Sequence, residues 1–156
     1  NHLFPSELIG NTNVEMLQSF GLILAASVTF VQGYGNDHGL TIAQITNLLW
    51  NKLDRDANQQ VSLDEIVQEF HNMCDTQPMD GLISEHEFVH CWQHNFHDSH
   101  RSSVHVFTNM DLDHDGSITS NDLHTMFRHM DFDLSNMIIK NEFEIVISYI
   151  YGRMPI

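Results

Sequence analysis

The sequence predicts an all-α protein of helix–loop–helix repeats, with short β-bridges joining the loops. Two observations carry that prediction. Beyond residue 41, apolar residues return at i, i+3, i+4 and i+7, and acidic loops recur between those stripes at 54–65, 111–122 and 131–142. The 156 residues carry 21 acids against 6 bases, a formal charge of −15, with 42 % apolar residues. That apolar share belongs to a folded chain rather than a disordered acidic tail. The charge repels nucleic acid and anionic membrane surfaces and attracts cations.

The N-terminal quarter reads differently. Residues 20–31, "FGLILAASVTFV", form an apolar run too short for a stable membrane span. It starts soon after Met16 and ends with Val31 and Gly33 at the −3 and −1 positions of a cleavage site. The pattern predicts a secretory signal over 16–33, hence an extracellular protein, with 1–15 as an upstream segment. The competing reading is a buried or interfacial helix, which goes with a cytoplasmic protein.

The helices follow in order. Leu49, Trp50 and Leu53 mark the first, and Thr41 with Gln44 makes its capping box. Ile66, Phe70 and Met73 mark the second, and Phe88, Cys91 and Trp92 the third. Val106, Phe107 and Met110 precede the acidic loop at 111, and Leu123, Phe127 and Met130 follow it. Phe143, Val146, Ile147 and Ile150 complete the set. Such stripes pack amphipathic helices on a shared core, so the Met and Phe residues on them are expected inside.

Residues 111–122, "DLDHDGSITSND", place oxygens at loop positions 1, 3, 5, 9 and 12 through Asp111, Asp113, Asp115, Thr119 and Asp122. Gly116 at position 6 permits the positive φ of a sharp turn, and Ile118 stands at position 8. Calcium takes six to eight hard oxygen ligands at about 2.3–2.6 Å, and alternate positions of a tight loop aim their oxygens inward. Residues 54–65 repeat the register with Asp54, Asp56, Asn58, Ser62 and Glu65, but Gln59 replaces the glycine. Residues 131–142 give Asp131, Asp133, Ser135 and Glu142, with Asn136 at position 6 and no side-chain oxygen at Ile139. A fourth copy, 76–87, keeps Gly81, Ile83 and Glu87, yet Thr76 and Pro78 stand where carboxylates belong. It is expected to be structural and metal-free.

Over residues 41–152 the chain resembles the EF-hand calcium-binding superfamily. The resemblance implies a helical Ca²⁺-binding fold without catalysis. It adds the position-7 backbone carbonyls of Gln60, Ser117 and Met137 to the ligands. Magnesium is expected to compete, above all at loop 111–122, where Asp122 is one methylene shorter than the usual glutamate.

Residues 42–92 and 101–147 read as two related halves. Loop starts 22 and 20 residues apart leave room for one helix, which must serve two loops. The starts at 76 and 111 leave two helices and a linker, so those loops are expected to pair through Ile83 and Ile118. Loops 54–65 and 131–142 then fall at the outer ends, free to pair with each other.

Two features remain. His86-Glu87-Phe88-Val89-His90 matches the H-E-x-x-H zinc pattern, but Gln93 and Phe96 occupy the places of the extended glycine and third histidine. A protease is therefore not expected. His86, His90, His94 and His97 form a stripe opposite the apolar face, a candidate for Zn²⁺ or Cu²⁺ that otherwise reads as a solvated polar face. Cys74 and Cys91, the only cysteines, read equally as two buried thiols or as one disulfide in a secreted protein. Taken together, the sequence points to a secreted acidic calcium-binding protein of a matrix or buffer type, with matrix proteins or a mineral surface as partners. An intracellular sensor that offers a Met/Phe groove to target helices is the alternative.

Overall fold

A computed structural model of the chain describes residues 40–76 and 78–153. The expected signal at 16–33 and the segment before it lie outside these residues. Six helices are described: α1 Ile42–Leu53, α2 Leu63–Cys74, α3 Glu85–Phe96, α4 His100–Met110, α5 Ser120–Met130 and α6 Lys140–Gly152. Four two-residue strands sit in the loops: β1 Gln60–Val61, β2 Ile83–Ser84, β3 Ser117–Ile118 and β4 Ile138–Ile139. Among the described residues no helix is long and apolar enough to cross a membrane.

Local chemistry starts each helix. Thr41 caps α1, its hydroxyl accepting from Gln44 N at 3.3 Å while Gln44 Oε1 accepts from Thr41 N at 2.8 Å. Ser62 with Glu65, Ser84 with Glu87 and Thr119 with Asp122 make the same reciprocal box at α2, α3 and α5. The acid at loop position 12 therefore closes its loop and opens the next helix. At α6, Ile139 has no capping side chain, and Glu142 Oε2 alone accepts from Ile139 N at 3.0 Å.

The pairing that the loop spacing predicts is present, and the two outer loops pair as well. β2 and β3 are antiparallel with Ile83 opposite Ile118. β1 and β4 are antiparallel with Val61 opposite Ile138. Because α2 and α5 each carry a loop at both ends, those loops face opposite ways and must find partners in the other half. The helices obey the same nesting: α1 packs on α6, α2 on α5 and α3 on α4.

One core results. Phe88, Phe96, Trp92, Phe143, Val61, Ile83, Ile118 and Ile138 are almost wholly enclosed. Trp92 stacks on Phe88 with ring centroids 4.9 Å apart, and Trp50 meets Phe143 at 5.6 Å. Fully burying one such apolar side chain is worth roughly 1.5–3 kcal/mol. Met110, Met126 and Met130 also belong to this core. Met73 is only partly buried against it.

Two further ties join the described helices. Cys74 and Cys91 are joined in a disulfide between the end of α2 and the middle of α3. By chain entropy a loop of this length is worth about 3 kcal/mol. In the linker between the halves, buried Asp98 accepts from Tyr151 Oη at 2.7 Å, and Tyr151 in turn accepts from Trp92 Nε1 at 3.1 Å. Ser99 N donates to the other Asp98 oxygen at 2.9 Å.

Candidate metal centres in the acidic loops

Three loops share one backbone. Asp54, Asp111 and Asp131 each end a helix, donating N–H to the carbonyls of Trp50, Phe107 and Phe127 at 2.9–3.0 Å. Position 6 has positive φ in all three: 67° at Gln59, 93° at Gly116 and 62° at Asn136. Position 4 does too, at Ala57, His114 and Leu134, with φ of 58–59°. Non-glycine residues adopt this region at a cost of about 1–2 kcal/mol each. The turn is tight enough to bring positions 1, 3 and 5 to one side.

Hydrogen bonds then aim the carboxylates inward. Asp54, Asp111 and Asp131 accept from the position-6 N–H at 3.0–3.1 Å. Glu65, Asp122 and Glu142 reach back across the loop to the N–H of Arg55, Leu112 and Phe132 at 2.9–3.2 Å. Asn58 and Asp115 accept from the N–H of Gln60 and Ser117, which open the strands, at 2.7 and 2.9 Å. Ser135 Oγ donates to the Met137 carbonyl at 2.9 Å, so that position-7 oxygen lies beside position 5. Ser62 and Thr119 are turned to their capping partners, donating to Glu65 and Asp122 at 2.8 and 2.6 Å.

The carboxylates converge. Oxygens of Asp54, Asp56 and Glu65 lie within 4.8 Å of one another, and so do those of Asp131, Asp133 and Glu142. In loop 111–122 the group is Asp111, Asp113 and Asp115, and Asp122 is not part of it. Ligands of one ion at about 2.3–2.6 Å lie at most about 5 Å apart, so these spans fit a calcium coordination shell.

Their electrostatics reflect crowding. Burial, then the charges of Asp122, Asp115 and Asp111, hold the Asp113 carboxyl above its ordinary value. At Glu65 burial pushes upward, but hydrogen bonds from Ser62, Arg55 and Asp56 outweigh it and the carboxyl sits low. Two hydrogen bonds from Ser135 lead a similar lowering at Asp133. Asp54 Oδ1 is buried and has no hydrogen-bond partner. A buried acceptor in that state costs about 1–3 kcal/mol unless a positive group meets it.

The fourth loop needs a correction to its register. Asp75, not Thr76, takes position 1: it ends α2 and accepts from Gly81 N at 3.0 Å, as Asp111 does from Gly116. Glu87 accepts from Thr76 N, the position-2 contact, at 3.3 Å. The loop is therefore one residue longer than its siblings, with the insertion between Thr76 and Asp80. Counting back twelve residues from Glu87 hid the carboxylate that begins it. Asp75 is buried, with His71 Nδ1 at 3.4 Å. Gly81 keeps its positive φ, but no residue between Thr76 and Asp80 repeats that of Ala57, His114 and Leu134 among the described residues.

His86, His90 and His94 are exposed along α3, whereas His97, also exposed, is its C-cap with φ 52° and leaves the helical stripe. Among the described residues the groups of three or more metal-ligating side chains are those of the acidic loops, and none includes these histidines. No family model, no curated protein and no solved structure matches this chain.

Proposed function

We propose that this chain is a calcium-binding EF-hand protein that takes Ca²⁺ at loops 54–65, 111–122 and 131–142 and acts, secreted, as an acidic matrix or buffer protein. The observation that carries the reading is the convergence of three carboxylates within a calcium-sized span in each loop. The unpartnered Asp54 Oδ1 and the raised carboxyl of Asp113 support it, because both are relieved by a cation. The disulfide favours an oxidising compartment. A charge of −15 suits a mineral surface or basic matrix proteins as partners. The sensor alternative is weaker, because Met110, Met126, Met130, Phe127 and Phe143 are already buried in the shared core. No catalytic role is proposed.

Direct titration tests the sites individually. With loops 54–65 and 131–142 disabled by Asp54→Ala and Asp131→Ala, one calcium is expected to remain, at 111–122. Asp122 binds Leu112 N and the Thr119 hydroxyl with its two short-armed oxygens and stays outside the carboxylate group. That site should therefore discriminate weakly between Ca²⁺ and Mg²⁺. Asp122→Glu restores the bidentate reach that large, seven-coordinate calcium prefers and is expected to favour Ca²⁺ by about tenfold or more. Equal selectivity in both forms would show that side-chain length does not set the preference. A doubly disabled chain that takes no calcium would remove this loop as a site.

A further inference from the structure

Of the four loops, only 75–87 gathers no three carboxylates within a cation-sized span among the described residues. An extra residue spreads the turn between Thr76 and Asp80, Pro78 stands within it, and Asp75, Asp80 and Glu87 are not among the gathered groups. Asp75 accepts the same loop N–H bonds as Asp111 and Asp131, and in addition has His71 Nδ1 at 3.4 Å. Yet this loop is as closed as the others, with β2 fully paired and Ile83 wholly buried. A covalent tie joins its two helices.

The chain's only two cysteines flank this loop. Cys74 is the residue before Asp75 at position 1, and Cys91 lies one turn of α3 beyond Glu87 at position 12. Their Cα atoms are 5.3 Å apart, and both residues are buried. An ion held by positions 1 and 12 joins the end of the entering helix to the start of the leaving one. The disulfide joins the same two elements from just outside those positions.

We propose that the Cys74–Cys91 disulfide stands in for the cation at loop 75–87, and that this covalent closure presets loop 111–122 through the β2–β3 bridge. The second half rests on the calcium reading given above. The first does not. Loop 75–87 is permanently closed, and β2 offers Ile83 and Ser84 as a fixed template for Ile118 and Ser117 whether or not calcium is present. Loop 111–122 then binds its ion without paying to order its own partner. Loops 54–65 and 131–142 share the other bridge and serve as internal controls.

Hydrogen exchange on the full chain in chelator tests the closure. Cys74→Ala with Cys91→Ala removes the bond without adding a polar group. The double variant is expected to exchange at least tenfold faster at 76–84 and at 117–118, while α1, α6 and the β1–β4 bridge keep their protection. Unchanged exchange at 76–84 overturns the proposal. Equal loss across all six helices overturns it too, since the bond would then be a general staple. Calcium titration supplies the second arm: affinity at loop 111–122 should fall several-fold and that of the other two loops should hold. If the parent chain binds no calcium, the calcium reading fails, and the exchange result in chelator still decides the closure. If calcium binds but loop 111–122 is unaffected, the presetting is overturned.

Discussion

Millimolar calcium is expected to raise the melting temperature of this chain by on the order of 10 °C per occupied site over its value in chelator. A ligand that binds only the folded state at a hundredfold excess over its dissociation constant adds about 2.7 kcal/mol per site. For a domain of this size each kcal/mol moves the midpoint by roughly 3–5 °C. The ion-free state is the source of the gain. Asp111, Asp113 and Asp115 crowd one another, and Asp54 Oδ1 is buried without a donor. A cation relieves both. Salt at matched ionic strength serves as the control, since screening alone softens like-charge repulsion between exposed groups. Equal melting temperatures in calcium and chelator would contradict the proposed occupancy.

Tyr151→Phe is expected to cost about 2–4 kcal/mol in denaturant unfolding, one of the larger losses available to a change of one atom. The phenol is held protonated, because burial and then the charge of Asp98 push its ionisation far above the ordinary range. It therefore remains a donor at any working pH. Without it, Asp98 Oδ2 and Trp92 Nε1 each lose their partner inside a water-excluded site. Asp98 is only 1 % exposed, so water cannot replace the hydroxyl without opening the linker. Asp98→Asn keeps an acceptor of the same shape and removes the charge, so it should cost less. A loss under about 0.5 kcal/mol for Tyr151→Phe would mean that the network adds nothing beyond packing.

Much of this arrangement is legible in the sequence because it follows from local rules. Spacings of 22 and 20 residues between loop starts admit one helix each, and a shared helix forces its two loops apart. From that the Ile83–Ile118 pairing follows, while the spacing leaves the Val61–Ile138 pairing open and it is seen in the structure. The backbone of Gln59 was legible too, since its position demands a left-handed residue whatever occupies it. Other features leave no local trace. Ala57, His114 and Leu134 adopt positive φ, yet nothing in their side chains announces it. The place of Asp75 was hidden by an insertion inside a pattern of fixed length. Tyr151, Asp98 and Trp92 meet across separations of 53 and 59 residues, which only the packed helices bring together. Spacing alone also left the two cysteines undecided, because bonding depends on how α2 and α3 meet.

The most direct test of the central claim is the number of calcium ions carried by the intact chain, counted by native mass spectrometry with calcium in moderate excess. Three ions are expected, one each at 54–65, 111–122 and 131–142, with Asp54→Ala and Asp131→Ala each lowering the count by one. A chain that carries none, or one whose count is unmoved by both substitutions, would contradict the assignment of these loops as calcium sites.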